Sequence, residues 1–265
     1  MSASLRSDTL DPVIFLHGQP GTGRDWDRVV AALHERARTI VLDRPGWDGR
    51  TSATDLPGNA SFALTALDLA DVERAIVVGH SFGGAVAAWL AAWHPDRVTA
   101  LVLAAPAANL ASLYKLDRVL ATPVLGNLLG AATLAGPAVA FGVGPMRREI
   151  ASRLALDETY LREAGRTLRS PRAWRSFVVE QRAMLDGLPV LEPQLGAITA
   201  PTMIVIGRRD RVVPPASARR LAGQIGSSSL VIVDRAGHLL PLRQAPRLAE
   251  AIVAVGAAAA ERRSA

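Results

Sequence analysis

Ser81 stands in "GHSFGG" (79–84), directly after the apolar run "RAIVV" and directly before the alanine-rich "AVAAWLAAW". A serine between two glycines at a strand-to-helix turn is placed for nucleophilic attack. The tight turn lifts its hydroxyl from the sheet edge, Gly79 and Gly83 avoid a Cβ clash across the turn, and the helix that follows aims its N-terminal N–H groups at the reacting oxygen. Serine needs a base to take its proton. His238, in "DRAGHLLP", and Asp210, in "GRRDRVVPP", each follow an apolar run. The order serine, aspartate, histidine suits a nucleophile, an orienting carboxylate and a general base. Asp234 competes as the acid, but it lies only four residues before His238 on the same strand end, so Asp210 is preferred. The loop "HGQPGTG" (17–23) could bring the Gln19 N–H beside that of Phe82, two donors for an oxyanion. His17 reads as a loop-fixing residue rather than the base.

These residues need a scaffold that delivers them to one edge. Apolar runs at 13–18, 38–46, 74–80, 98–106, 202–207 and 229–234 read as strands. Helical spacing fills 25–37, 61–74, 83–93, 215–224 and 244–260. Continuous apolar strands alternating with helices predict a parallel sheet covered on both faces, with ligands gathered at the strands' C-terminal ends. Residues 107–196 break the rhythm with helical, Pro- and Gly-interrupted sequence and no convincing strand. The chain therefore divides into a first core part (1–106), a helical cap (107–196) and a second core part (197–265). Trp89 and Trp93, four apart on one helix, read as core.

Composition limits the alternatives. In 265 residues, 49% are hydrophobic, 20% are charged and none is cysteine, which removes disulfides, cysteine ligands and a cysteine nucleophile. The net charge of +6 comes from 30 basic residues of which Lys115 is the only lysine; no basic block of the nucleic-acid-binding kind is present. Residues 119–146 are free of charge over 28 positions, long enough to span a bilayer. Three prolines and five glycines within them argue instead for a buried or substrate-facing segment, without stable membrane insertion. The N-terminal "MSASLRSDTLDP" lacks the apolar core of a signal peptide, so a cytoplasmic location is expected. Nine arginines at 147, 148, 153, 162, 166, 169, 172, 175 and 182 give the cap a positive bias, and one or two could hold a substrate carboxylate.

The segments "HGQPG", "DRPG" with "GRTS", "GHSFGG", "GRRDRVVP" and "AGHLLP" together resemble the α/β-hydrolase superfamily, in its capped serine-hydrolase branch, from about Val13 to the C-terminal helix. The resemblance implies an α/β-hydrolase fold: a mostly parallel sheet of six to eight strands, helices on both faces and a helical cap. Members carry a hairpin and an antiparallel strand before the "HG" strand. Only 12 residues precede Val13 here, so those strands are expected to be reduced or absent, and a homodimer covering the bare edge stands beside a monomer. The resemblance further implies a cofactor-free, metal-free serine hydrolase cleaving a carboxylic ester, lactone or thioester of a small, largely apolar substrate. Its catalytic residues would be Ser81, Asp210 and His238, with Gln19 and Phe82 as the oxyanion hole. The alternatives are a cofactor-free perhydrolase or haloperoxidase-like enzyme, a C–C bond hydrolase, and a receptor-like or non-hydrolytic ligand binder. Serine in place of an aspartate nucleophile disfavours dehalogenase and epoxide-hydrolase chemistry, although the cap holds the only two tyrosines, Tyr114 and Tyr160. C–C hydrolases of this fold carry tryptophan after the histidine; here it is Leu239.

Overall fold

The computed structural model describes residues 10–122 and 125–264. Six strands run in chain order: β1 (Val13–Leu16), β2 (Thr39–Leu42), β3 (Ala75–His80), β4 (Val98–Ala104), β5 (Thr202–Gly207) and β6 (Ser228–Val233). They form one sheet of order β2-β1-β3-β4-β5-β6 in which every neighbouring pair is parallel. Each step between parallel neighbours needs a crossover, and the helices supply it. These are α1 (Asp27–Ala32), α2 (Leu56–Leu69), α3 (Phe82–Trp93), five helices between β4 and β5, α9 (Pro215–Gln224), α10 (Leu240–Arg243) and α11 (Ala245–Ser264). The five intervening helices are α4 (Lys115–Leu120), α5 (Leu125–Gly142), α6 (Gly144–Leu154), α7 (Glu158–Leu168) and α8 (Pro171–Leu191).

Burial is greatest at the centre of the sheet. Every residue of β1, β3 and β4 is buried, while the edge strands β2 and β6 are only partly covered. Continuous Val, Ile and Leu runs are what a strand covered on both faces requires. The alanine-rich α3 packs tightly on this centre because its small side chains let the helix axis come close. Within it, Trp89 is half-buried and stacks on the more exposed Trp93 at 4.0 Å between ring centroids, so this pair rims the core rather than filling it.

Two helices depart from the spacing-based expectation. α2 starts at Leu56 rather than 61, because the Asp55 side chain accepts the Gly58 N–H at 2.8 Å and Pro57 sits in the first turn. α1 closes at Ala32, where His34 and Glu35 take positive φ and end the helix early. A second, smaller apolar cluster joins Trp47 to Leu120, Leu134, Leu168 and Phe177, tying the helices after β4 to the loop after β2. Among the described residues no single helix is long and apolar enough to cross a membrane; α5 and α6 would be so together, but they meet at 95°. Pro123 and Val124, within the charge-free stretch, lie outside the described residues.

Candidate active site

Ser81 occupies the turn between β3 and α3 with φ 53° and ψ −117°, a region that L-residues enter only when the surroundings enforce it. The enforcement is visible. Ser81 N–H donates to Ala104 O at 3.0 Å, and Ser81 O accepts from Gly84 N at 2.9 Å and Ala107 N at 3.1 Å. A Cβ on Gly79 would lie 2.2 Å from Gly83 O, and one on Gly83 would lie 2.2 Å from Leu16 O. Both glycines are thus demanded by backbone, which cannot give way.

His238 lies in the loop after β6 and Asp210 in the loop after β5. Their side chains meet, with His238 Nδ1–H donating to Asp210 Oδ2 at 2.9 Å. This fixes the tautomer and leaves Nε2 as the basic nitrogen. Asp210 is itself held by the N–H groups of Val212 (2.8 Å) and Val213 (2.9 Å) on Oδ1. Burial alone would raise its pKa, but the hydrogen bond and charge of His238 and these two N–H groups hold it below the usual value. Gly207 allows the two loops to meet: a Cβ there would sit 2.5 Å from the carbonyl oxygens of Ala236 and Gly237. Asp234, the competing acid, is mostly exposed and pairs with Arg208 instead.

Ser81, His238 and Gln19 all line a cavity of about 670 Å³ beneath the α4–α8 helices. Ser81 and His238 share its wall without a hydrogen bond between them among the described residues; Asp210 stands behind His238. The backbone N–H groups of Gln19 and Phe82 donate no hydrogen bond among the described residues. Phe82 opens α3, where such free donors and the positive end of the helix dipole coincide. The cavity's apolar side comes from Leu134, Pro137 and Phe141 of α5, with Phe177 and Met184 of α8. Of the nine arginines from 147 to 182, none lines it. Arg147, Arg169, Arg172 and Arg182 instead donate to backbone carbonyls, and Arg147 also pairs with Glu158.

Three groups beside the site were not singled out by sequence. Arg44, from "DRPG", is buried. It donates to the carbonyls of His17 (2.8 Å) and Gly18 (2.9 Å), pairs with Glu180 of α8, and lies 4.6 Å over the Phe82 ring. It therefore braces both segments that carry the candidate oxyanion donors. His17 completes the brace: Nδ1–H donates to Gly18 O at 2.7 Å and Nε2 accepts the Arg44 N–H at 3.0 Å. His80 is buried with its pKa lowered to about 3, chiefly by desolvation and then by the neighbouring His238, so it is neutral and its Nε2–H donates to His238 O at 3.0 Å. Asp25, on the short turn Gly23–Trp26, accepts the hydroxyl of Tyr160 from α7 at 2.9 Å inside the cavity wall. The only advance signal for Arg44 and His80 was a charged or polar residue at a strand end, and Asp25, nine residues past β1, carried none. Among the described residues no group of three or more His, Cys, Asp or Glu side chains is gathered to hold a metal ion.

A family model for the α/β-hydrolase fold matches residues 11–243. The 2-hydroxymuconate semialdehyde hydrolase of Pseudomonas sp. (strain CF600) is 26% identical over 276 aligned residues, which cover 95% of this chain and 90% of that one. The pimeloyl-(acyl-carrier protein) methyl ester esterase of Neisseria meningitidis is 27% identical, over 87% of this chain and 88% of its own length. Among solved structures, a meta-cleavage product hydrolase from Pseudomonas fluorescens superposes with a TM-score of 0.70 at 24% identity, covering 95% of this chain and 92% of that one, a likeness of fold. Sheet order, elbow and matched span agree, and the chain belongs to the α/β-hydrolase fold family.

Proposed function

We propose that this hydrolase cleaves a carboxylic ester through an acyl-enzyme on Ser81. The observation that carries the reading is the strained Ser81 turn opening into the same cavity as His238, whose other ring nitrogen is committed to Asp210. In this reading His238 Nε2 takes the Ser81 proton as Oγ attacks the carbonyl. Asp210 keeps the ring in that tautomer and stabilises the imidazolium. The N–H groups of Gln19 and Phe82 receive the oxyanion. The alcohol leaves with the proton from His238; water, deprotonated by the same nitrogen, then releases the acid. The segment 107–196 acts as the cap that shapes the acyl or alcohol site. The Neisseria esterase supports the ester reading by its name.

The test is steady-state hydrolysis of p-nitrophenyl butyrate over many enzyme equivalents, with Ser81→Ala beside wild type. Sustained release that falls by about 10³-fold or more in Ser81→Ala is expected. A single burst, or equal rates in the two proteins, overturns the reading and favours the receptor-like use of the fold. A second reading, hydrolysis of a C–C bond, draws support from the Pseudomonas relative and the meta-cleavage structure. It requires turnover of 2-hydroxymuconate semialdehyde, the compound in that relative's name, in preference to simple esters, and the two substrates assayed side by side decide between them.

A further inference from the structure

The cavity wall presents buried acceptors that lack a donor or hold only one side-chain donor. Asp25 is buried on this wall, with Tyr160 as its hydrogen-bond donor. Gln181 of α8 is 4% exposed and lines the cavity; its Nε2 faces Asp117 Oδ1 at 3.4 Å, which leaves Oε1 without a donor among the described residues. Gln19 Oε1 is likewise buried and without a donor. Three hydroxyl donors on the wall are consumed within the protein. The Tyr160 hydroxyl serves Asp25, Ser112 serves Asn109 O at 2.6 Å, and Thr133 serves Leu129 O at 2.7 Å.

Charge follows the same bias. Four carboxylates line the cavity, those of Asp25, Asp43, Asp117 and Glu163. Arg24 is the one arginine or lysine lining it among the described residues, and Arg24 is already paired with Glu163 and Asp27. A substrate carboxylate entering here would be desolvated beside Asp25 with no free cation to meet it, which is costly. A hydroxyl group meets the wall on its own terms, because it donates a hydrogen bond to Gln181 Oε1 or to the Asp25 carboxylate without bringing a charge into the cavity.

We infer that the cavity selects uncharged esters bearing a hydroxyl group, with Asp25 and Gln181 as the residues that determine this specificity. The inference rests on the ester reading above. Burial pushes the Asp25 carboxyl up to about 7, against the pull of the Tyr160 hydroxyl and the Thr22 N–H. Near neutrality it therefore exchanges between acceptor and donor, and a hydroxyl can partner either form.

The experiment compares four esters by pH-stat at pH 8: ethyl butyrate, ethyl 3-hydroxybutyrate, 2-hydroxyethyl butyrate and monoethyl succinate. The carboxylate ester is expected to have a kcat/KM about 100-fold or more below ethyl butyrate. At least one hydroxylated ester is expected to exceed ethyl butyrate by about threefold or more, despite its lower apolarity. Asp25→Asn should raise the succinate-to-butyrate ratio by about tenfold, and Gln181→Leu should abolish the hydroxyl preference; ratios within one protein cancel any general loss of activity. A carboxylate ester cleaved as well as ethyl butyrate, or ratios unmoved in both variants, overturns the inference. Failure to cleave any of the four esters counts against the ester reading instead. The specificity is then read from dissociation constants of the same esters with Ser81→Ala protein by calorimetry, and tightest binding of monoethyl succinate would overturn it there.

Discussion

Arg44, in the loop after β2, and Glu180, midway along α8, form an ion pair whose side chains are 1% and 0% exposed, joining the sheet to the helices between β4 and β5. The pair is saturated: Trp47 Nε1 also donates to Glu180 at 3.0 Å and Asn59 accepts from Arg44 at 3.1 Å. Burial raises the Glu180 pKa, and the Arg44 charge with these hydrogen bonds pulls it back. Removing one partner leaves the other charge buried and alone. Glu180→Ala is expected to cost about 3–5 kcal/mol of stability, read from the denaturant midpoint by circular dichroism. A change below about 1 kcal/mol would mean that the pair is not desolvated in solution.

Asp210→Asn tests the orientation of His238. The asparagine keeps an oxygen for Val212 and Val213 but presents an amide N–H toward His238 Nδ1, selecting the wrong tautomer. The expected loss is about 10³–10⁴-fold in kcat with little change in the far-ultraviolet spectrum. Asp234→Asn, by contrast, should leave kcat within about twofold, since Asp234 faces solvent with Arg208. The same p-nitrophenyl butyrate assay measures both.

Gly83→Ala places a methyl group 2.2 Å from Leu16 O and 2.5 Å from His17 O, both backbone atoms at the C-terminal end of the buried strand β1. Relief requires moving α3 off the sheet. The substitution is expected to destabilise by about 3 kcal/mol or more or to prevent soluble expression. Gly223→Ala, whose added Cβ would meet nothing within 4 Å, should be neutral or slightly stabilising in the same denaturation measurement.

Asp25 should leave a signature in the pH dependence of stability. Its folded pKa, about 7, lies well above the ordinary aspartate value, so the native state holds the proton more tightly than the unfolded chain does. Stability from this group is complete below about pH 4 and declines as pH rises to about 7, then levels off. The groups facing it are Tyr160 from α7, the Thr22 N–H, Asp43, which raises its pKa, and Arg44, which lowers it. Asparagine at position 25 cannot titrate, so the melting temperature of Asp25→Asn relative to wild type should climb between pH 5 and pH 7.5. A flat difference across that window would show Asp25 ionised at its ordinary pKa.

The sequence alone determined the strands, the elbow and the order of serine, aspartate and histidine, because these are local facts. A short apolar run flanked by turn residues reads as a strand from its own sequence, and a serine between glycines at a strand-to-helix junction reads as a tight turn in the same way. The expected positions of Ser81, Asp210 and His238 at strand ends are where the structure has them, and the helical nature of most of 107–196 was also legible. What only the tertiary structure decided was which distant side chains meet. Asp25 meets Tyr160 across 135 residues of chain, and Arg44 meets Glu180 across 136. An arginine's spacing carries no record of its partner, so the nine arginines from 147 to 182 suggested a carboxylate site. Folding turned Arg147, Arg169 and Arg182 onto carbonyls, with Arg147 also on Glu158, and left Asp25 and Gln181 as buried acceptors on the cavity wall. Pairing between remote groups depends on crossovers and helix packing, which no single segment encodes. The polarity of the cavity, and with it the substrate it receives, belongs to that assembled level.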